Sequence, residues 1–319
     1  MSRVLLVNID SKIPNLALMQ ISAHHKQLGD TVGFDISNPD YVYISCIFTK
    51  NAEQARGIAA LYPNAKVSLG GTGVDIYKRL PVEYEKICPD YSIYPKMDYS
   101  LGYTTRGCIR ACPFCVVPKK EGKFHRWQHI SEFHNPTHKK IIVLDNNVYA
   151  DLDWFFENTD YVLEKNLKFN AVQGMDIRIL NEEIAQRLNQ IKWFGELHFA
   201  FDNLKDESKV IRGIELLKNA GIDTRHKVIF YVLTGFNSTF EEDLYRVNLL
   251  RSLDTNVFVM QYKVTPQTRR LANYANRRWL FWRIPFEEYD PKKRYTKDNN
   301  LSNEFYQTRQ ESLDQGGVI

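Results

Sequence analysis

Short apolar strands alternate with amphipathic helical stretches along most of this chain. That alternation restricts it to α/β folds with parallel, covered sheets. Arg3 to Ile9 reads as a buried strand. Residues 14–28 then place Leu16, Leu18, Ile21 and Leu28 at helical spacing, with Gly29 as a stop. Tyr41 to Cys46 is a second strand, residues 51–61 an Ala-rich helix, and Lys66 to Leu69 a third strand ending in Gly70-Gly71-Thr72-Gly73. The glycine run suits either close approach of backbone to a ligand or a tight turn. Pro81, Pro89 and Pro95 punctuate the exit and place a linker near 78–98.

A second βα series starts at residue 99. Strands are expected at 101–106, 140–145, 169–174, 195–201, 226–233 and 257–262. The clearest helices are 181–190, 207–220 and 239–252, and Asn219-Ala220-Gly221 stops the second of these. Six repeats fit a partial barrel better than an eightfold one, and in such barrels reactive groups gather at the C-terminal strand ends. The expected organisation is a small Rossmann-like parallel-sheet domain at 1–95 and a partial (β/α)6 TIM-like barrel at 96–265. A basic, aromatic segment and tail follow at 266–319, with the last dozen residues frayed.

Composition narrows the class. Of 319 residues, 44% are hydrophobic and 25% charged, near globular averages, which excludes long-range disorder. No apolar run reaches transmembrane length, and the first strand breaks early at Asn8 and Asp10, unlike a signal peptide. A soluble, cytoplasmic protein without a membrane partner is expected. The net charge of +4 excludes a global polycation. Residues 263–297 nevertheless hold ten Lys/Arg against three Asp/Glu. There Arg269, Arg270, Tyr274, Arg277, Arg278, Trp279, Phe281, Trp282 and Arg283 mix cations with rings, which suits nucleic acid. An amphipathic helix closing the barrel mouth with snorkelling arginines is the alternative. His125, His129, His134 and His138 lie among Lys123, Arg126, Lys139 and Lys140, with Pro136 interrupting them. They read as a solvated or substrate-facing basic loop rather than a second metal site. His24 and His25 are expected on the surface of the first helix.

Five cysteines, an odd number in a large chain, argue against a disulfide framework. Cys108, Cys112 and Cys115 have the spacing C-x3-C-x2-C, just after an expected strand. Three thiolates on one short loop can face a single centre, and they are soft ligands for iron–sulfur clusters, zinc or copper(I). A structural zinc usually takes four ligands from two separated pairs. A cluster with three protein ligands instead leaves one iron open, which is a catalytic arrangement. Cys46 and Cys88 read as inert thiols.

This spacing, with Phe114 just before the third cysteine, resembles the radical S-adenosylmethionine (SAM) superfamily, which holds a 4Fe–4S cluster on C-x3-C-x2-C. Further stretches resemble the branch with a cobalamin-binding-like domain before the barrel, a layout partly shared by tRNA methylthiotransferases. These are Pro118–Lys123, Leu144–Asn147, Gln173–Arg178 and Phe199–Asp202. The resemblance implies that Cys108, Cys112 and Cys115 are the metal ligands. It sets Asp145, Asn146 and Asn147 at the second-strand position that meets the methionine amino group, where the family usually carries Gly-Gly-Glu. It sets Asp176 and Arg178 where polar groups meet ribose and carboxylate, Asp202 at the fourth strand, and Gly235 at the fifth-strand turn near adenine. A SAM ammonium needs oxygens and its carboxylate a cation such as Arg178, which fits these residue types independently.

The implied activity is one-electron cleavage of SAM to methionine and a 5′-deoxyadenosyl radical that abstracts a substrate hydrogen. An external reductant of the flavodoxin or ferredoxin type is the implied partner, and nucleic acid or a nucleotide is the first substrate class to test. Two alternatives stand beside it. One is cobalamin-dependent methyl transfer, although no Asp-x-His-x-x-Gly lower-ligand motif is present. The other is a non-catalytic nucleic-acid-binding protein with a zinc or redox cysteine loop.

Overall fold

The computed structural model describes residues 1–295. The tail expected to fray, and the rest of 296–319, lie outside the described residues. The described chain divides into two compact units, residues 1–111 with 115–142, and residues 112–114 with 143–295. Among the described residues no helix is long and apolar enough to cross a membrane.

The first unit opens with four parallel strands, β1 (Arg3–Asn8), β2 (Thr31–Gly33), β3 (Tyr41–Ser45) and β4 (Lys66–Gly70), in the order β2-β1-β3-β4. Both faces of β1 are covered. Val4 and Leu6 pack with Leu18 and Ile21 of the helix Leu16–Gln27, whereas Leu5 packs with Val42, Ile44 and Ala55. Period-two alternation therefore feeds two cores, and each buried Leu, Ile or Val contributes about 1.5–3 kcal/mol. Leu18, Ile21 and His25 share one helix face at spacings of three and four, so His25 is buried, contrary to the surface expectation. Its Nδ1 lies 2.8 Å from Asp30 Oδ2 and its Nε2 lies 2.9 Å from the Tyr43 hydroxyl. His24 stacks on Tyr84.

The strand order reverses between β1 and β3, the place where open α/β sheets take ligands. Here the unit sets its own Asp10. That carboxylate accepts the N–H groups of Ile47 (2.8 Å) and Phe48 (2.9 Å) and the amide of Asn51 (3.0 Å). The glycine run backs the same loop. A Cβ on Gly71, where φ is +100°, would lie 2.2 Å from the Cys46 carbonyl oxygen, and one on Gly73 would lie 2.6 Å from the Phe48 backbone. The run thus serves loop-on-loop packing. Burial pushes the Asp10 carboxyl up, but the bonds from Ile47, Asn51 and Phe48 outweigh it and hold it below the ordinary carboxylate range. Asp10→Ala is expected to lower stability by about 2 kcal/mol at pH 7. Because the folded-state value is depressed, that contribution is present above the unfolded value of 3.8 and fades as the pH falls through the folded one. Urea unfolding of parent and variant at pH 7 and pH 3 checks both statements.

The unit continues with β5 (Ser100–Gly102), β6 (Thr105–Arg106), β7 (His125–Arg126) and β8 (Lys140–Val143). The strand expected at 101–106 is thus two short pieces. β5 is hydrogen-bonded to β8, and β6 pairs antiparallel with β7. His125 and Arg126 are exposed, as expected of a solvated loop, but two of the other histidines have structural partners. His129 caps the turn Ile130–Phe133 in a capping box with Glu132, and His138 is buried with its Nδ1 3.1 Å from Ser100 Oγ.

In the second unit β9 (Lys168–Ala171) pairs in parallel with β10 (Lys192–Trp193), and β11 (Leu197–Ala200), β12 (Val228–Thr234) and β13 (Asn256–Gln261) form a parallel sheet. β12 is buried at six of seven positions, as a central parallel strand should be. All six strands expected for a barrel exist, but no single described sheet joins them. The helices Glu182–Gln190, Glu207–Asn219 and Phe240–Ser252 follow the sequence expectation closely. Thr239 and Glu242 form a capping box that starts the last of these.

The basic aromatic segment forms the helices Pro266–Ala275 and Arg278–Arg283, and two of its arginines are engaged. Arg270 donates to the Tyr289 carbonyl (2.6 Å) and lies over Phe286, and Arg278 pairs with Glu196 (2.7 Å). Trp282 donates to Asn256 and carries Arg225 on its face. Tyr274 and Phe281 are buried, while Arg269 and Arg277 remain exposed.

Candidate functional site

The three cysteines lie on the connection between β6 and β7. Two devices shape its base. Gly107 has φ +72°, and a Cβ there would lie 2.3 Å from the Lys123 carbonyl oxygen, so only glycine fits. The buried Glu121 carboxylate accepts the Gly107 N–H at 2.9 Å and pairs with Arg106 Nε at 3.4 Å. The short helix Val117–Lys120, with Pro118 in its first turn, ends the cysteine stretch. The backbone N–H of Arg110 donates to Cys108 Sγ and that of Val117 to Cys115 Sγ, each at 3.4 Å. Such donors stabilise negative charge on sulfur.

Cys108 and Cys115 belong to the first compact unit, Cys112 and Phe114 to the second. No disulfide joins any of the five cysteines. Cys46 is buried, and burial pushes its thiol up, whereas Cys88 is exposed. Among the described residues no group of three or more His, Cys, Asp and Glu side chains stands in an arrangement that holds a metal ion. The chemistry of the donor set nevertheless fits a thiolate-held cluster: three cysteines within eight residues, with backbone N–H groups aimed at two of the sulfurs.

The other candidates all fall in the second unit. Asp145 and Asn147 are buried beyond β8, and Asn146 is half-buried. Asn147 Oδ1 accepts the Asp176 N–H at 3.2 Å, which fixes the amide's orientation and turns Nδ2 away from it. That Nδ2 is buried with no hydrogen-bond partner among the described residues. An orphaned donor calls for an acceptor. It fits a carboxylate or hydroxyl oxygen.

Asp176 and Arg178 meet each other. Arg178 Nε and Nη2 straddle the Asp176 carboxylate at 2.6 and 3.1 Å, and Nη1 reaches Asp206 at 3.2 Å. Although burial opposes the charge, the bonds to Asp176 and the nearby Asp206 raise the guanidinium's pKa further. The cation expected to meet a cofactor carboxylate therefore already carries two aspartates. Asp202, just past β11, accepts the Leu233 N–H at 3.0 Å, and burial pushes its carboxyl above the ordinary range. Gly235 has φ +74° and donates its N–H to Asp243 at 2.9 Å. Phe114 sets its ring edge-on to Phe236 at 5.2 Å, and Phe236 meets Tyr262 at 4.7 Å, so the aromatic before Cys115 is stacked beside the turn after β12.

Sequence reasoning did not single out Asp243, Arg246 or Glu121. Arg246 and Asp243 are buried partners at 2.5 Å, and Arg246 also donates to the carbonyls of Phe201 (2.5 Å) and Leu233 (2.8 Å). One side chain thereby ties the C-terminal ends of β11 and β12. The available signal was an acid and a base three residues apart on a helix, which usually marks a solvated pair. Glu121 had a weaker one, a lone acid within Lys119-Lys120-Glu121-Gly122-Lys123.

The chain matches no protein-family model, and no curated protein is similar to it. It is an α/β protein with parallel sheets.

Proposed function

We propose that the chain is a radical SAM enzyme in which Cys108, Cys112 and Cys115 hold a 4Fe–4S cluster. The observation that carries this reading is the C-x3-C-x2-C connection between β6 and β7, with backbone N–H groups donated to Cys108 Sγ and Cys115 Sγ. A bound cluster supplies the single electron that splits SAM into methionine and a 5′-deoxyadenosyl fragment able to take a hydrogen atom from a substrate.

The chain's own residues bind and orient. The free Nδ2 of Asn147 offers a hydrogen bond to a carboxylate or ribose oxygen of the cofactor. Asp176, fixed by Arg178, presents a carboxylate for a hydroxyl or ammonium group. Phe114 and Phe236 offer ring surfaces for the adenine, next to the turn at Gly235. Half-buried Asp202, which accepts the Leu233 N–H, and buried Asp145 lie just past strand ends and offer oxygen acceptors there.

The experiment is equilibrium dialysis of SAM against anaerobically reconstituted protein. Asn147→Asp keeps the acceptor for the Asp176 N–H but removes the donor. It is expected to weaken SAM binding about tenfold or more, at unchanged iron content. Parent-like binding would overturn the placement of Asn147, and no binding by the loaded parent would overturn the function.

A further inference from the structure

The cysteine connection is held by a buried ion pair that the proposed chemistry does not use. Glu121 Oε2 takes two bonds, from the Gly107 N–H at 2.9 Å and from Arg106 Nε at 3.4 Å. The Glu121 side chain is 6% exposed and that of Arg106 12%, so neither charge is solvated freely. The Arg106 guanidinium lies 4.2 Å over the Tyr103 ring and 5.8 Å from Trp127, which fixes its plane. Around this pair the cations Arg79 and Lys120 and the acid Glu85 share one electrostatic neighbourhood. Burial pushes the Lys120 ammonium down, and its backbone carbonyl accepts from Arg79. Glu121 is thus the counter-charge at the root of a connection rich in cations, one residue from the first cysteine in space.

We propose that Glu121 is a positioning residue for the cysteine connection. Its carboxylate, oriented by Arg106, fixes the Gly107 N–H and with it the direction in which Cys108 leaves β6, and it balances the Arg106 charge beside that thiol. Gly107 is the hinge of this arrangement. Its left-handed backbone lets the chain turn tightly over Lys123, and a hydrogen bond to its N–H holds the turn. The positioning half depends only on the first unit. The charge half rests on the reading that a 4Fe–4S cluster binds at these cysteines. A reduced cluster carries one more negative charge than an oxidised one. Uncompensated Arg106 therefore favours the reduced state and moves the potential upward.

The test uses the full chain, Glu121→Gln and Glu121→Ala. Gln retains an oxygen for the Gly107 N–H but loses the charge, whereas Ala loses both. In iron-free protein, the iodoacetamide alkylation rate is read separately for each cysteine by peptide mass spectrometry. Glu121→Ala is expected to speed Cys108 alkylation about tenfold beyond Glu121→Gln, because both variants lose the charge and only Gln keeps an oxygen for the Gly107 N–H. Buried Cys46 is the internal reference, because a general loss of stability would speed both thiols. A rise shared equally by Cys46, or no rise in Glu121→Ala beyond Glu121→Gln, overturns the positioning role. In reconstituted protein, Glu121→Gln is expected to keep full iron content while its midpoint potential becomes more positive than the parent's. An unchanged potential overturns the charge half. A parent that takes up no cluster overturns the functional reading instead, and the alkylation rates still decide the positioning role.

Discussion

Replacing Cys108, Cys112 or Cys115 with Ala, one at a time, is expected to abolish stable iron and sulfide uptake on anaerobic reconstitution. Each loss leaves two local thiolates, and no other cysteine in the sequence is within thirty residues of another ligand except Cys88, twenty positions before Cys108. Soft sulfur donors on one short connection act as a set, so the effect is close to all-or-none. Cys46→Ala and Cys88→Ala are expected to load like the parent, since Cys46 is buried against Asp10 and Phe48 and Cys88 lies apart on the surface. Iron and sulfide are counted per chain. Full loading of the triple variant would contradict the ligand assignment, as would a parent that retains zinc rather than iron.

The second large effect is expected at Asp243 and Arg246, which are both 1% exposed and 2.5 Å apart. Arg246→Met leaves the Asp243 carboxylate buried without its cation and releases the carbonyls of Phe201 and Leu233. A cost of about 3–5 kcal/mol is expected, typical of breaking one side of a buried pair. Asp243 also holds the Gly235 N–H and accepts from Ser238, so Asp243→Ala is expected to be comparably severe. The double variant Asp243→Ala with Arg246→Met is expected to cost less than the two single changes added together, because no isolated charge remains. Urea unfolding of the four proteins measures this cycle. Additive costs would show that the two side chains act independently.

The elements legible in the sequence are those whose pattern is local. β1, β3, β4, β8, β9, β11, β12 and β13 were visible as apolar runs between turn residues, and Gly29 and Gly221 marked helix stops. β2, β7 and β10 have only two or three residues, too few for any periodicity, and they exist because a neighbouring strand pairs with them. The break between β5 and β6 was equally invisible, since 101–106 reads as one run. The same division holds for the candidate site. The cysteine spacing was legible because it is covalent. Arg178 was read as an available cation because Asp206, which occupies it together with Asp176, lies 28 residues further on. Asn147 was set at the position that meets the methionine amino group by the family resemblance alone. Only its bond from the Asp176 N–H shows that the amide presents a donor. His25 was placed on the surface by its polarity, whereas its spacing from Leu18 and Ile21 puts it in the core beside Asp30 and Tyr43.

The basic C-terminal segment teaches a related lesson. Cations interleaved with rings occur both in nucleic-acid surfaces and in helix packing, and composition alone does not separate them. Here Arg270 and Arg278 find carbonyl and carboxylate partners, and Trp282 is tied to Asn256.

The most direct test of the central claim is product analysis. Reconstituted parent protein is incubated with SAM and a strong one-electron reductant in the absence of oxygen, and the quenched mixture is separated by liquid chromatography. The account predicts slow formation of 5′-deoxyadenosine and methionine in equal amounts, dependent on the reductant and absent from the Cys112→Ala protein. Intact SAM after prolonged incubation with the iron-loaded, reduced parent would contradict it.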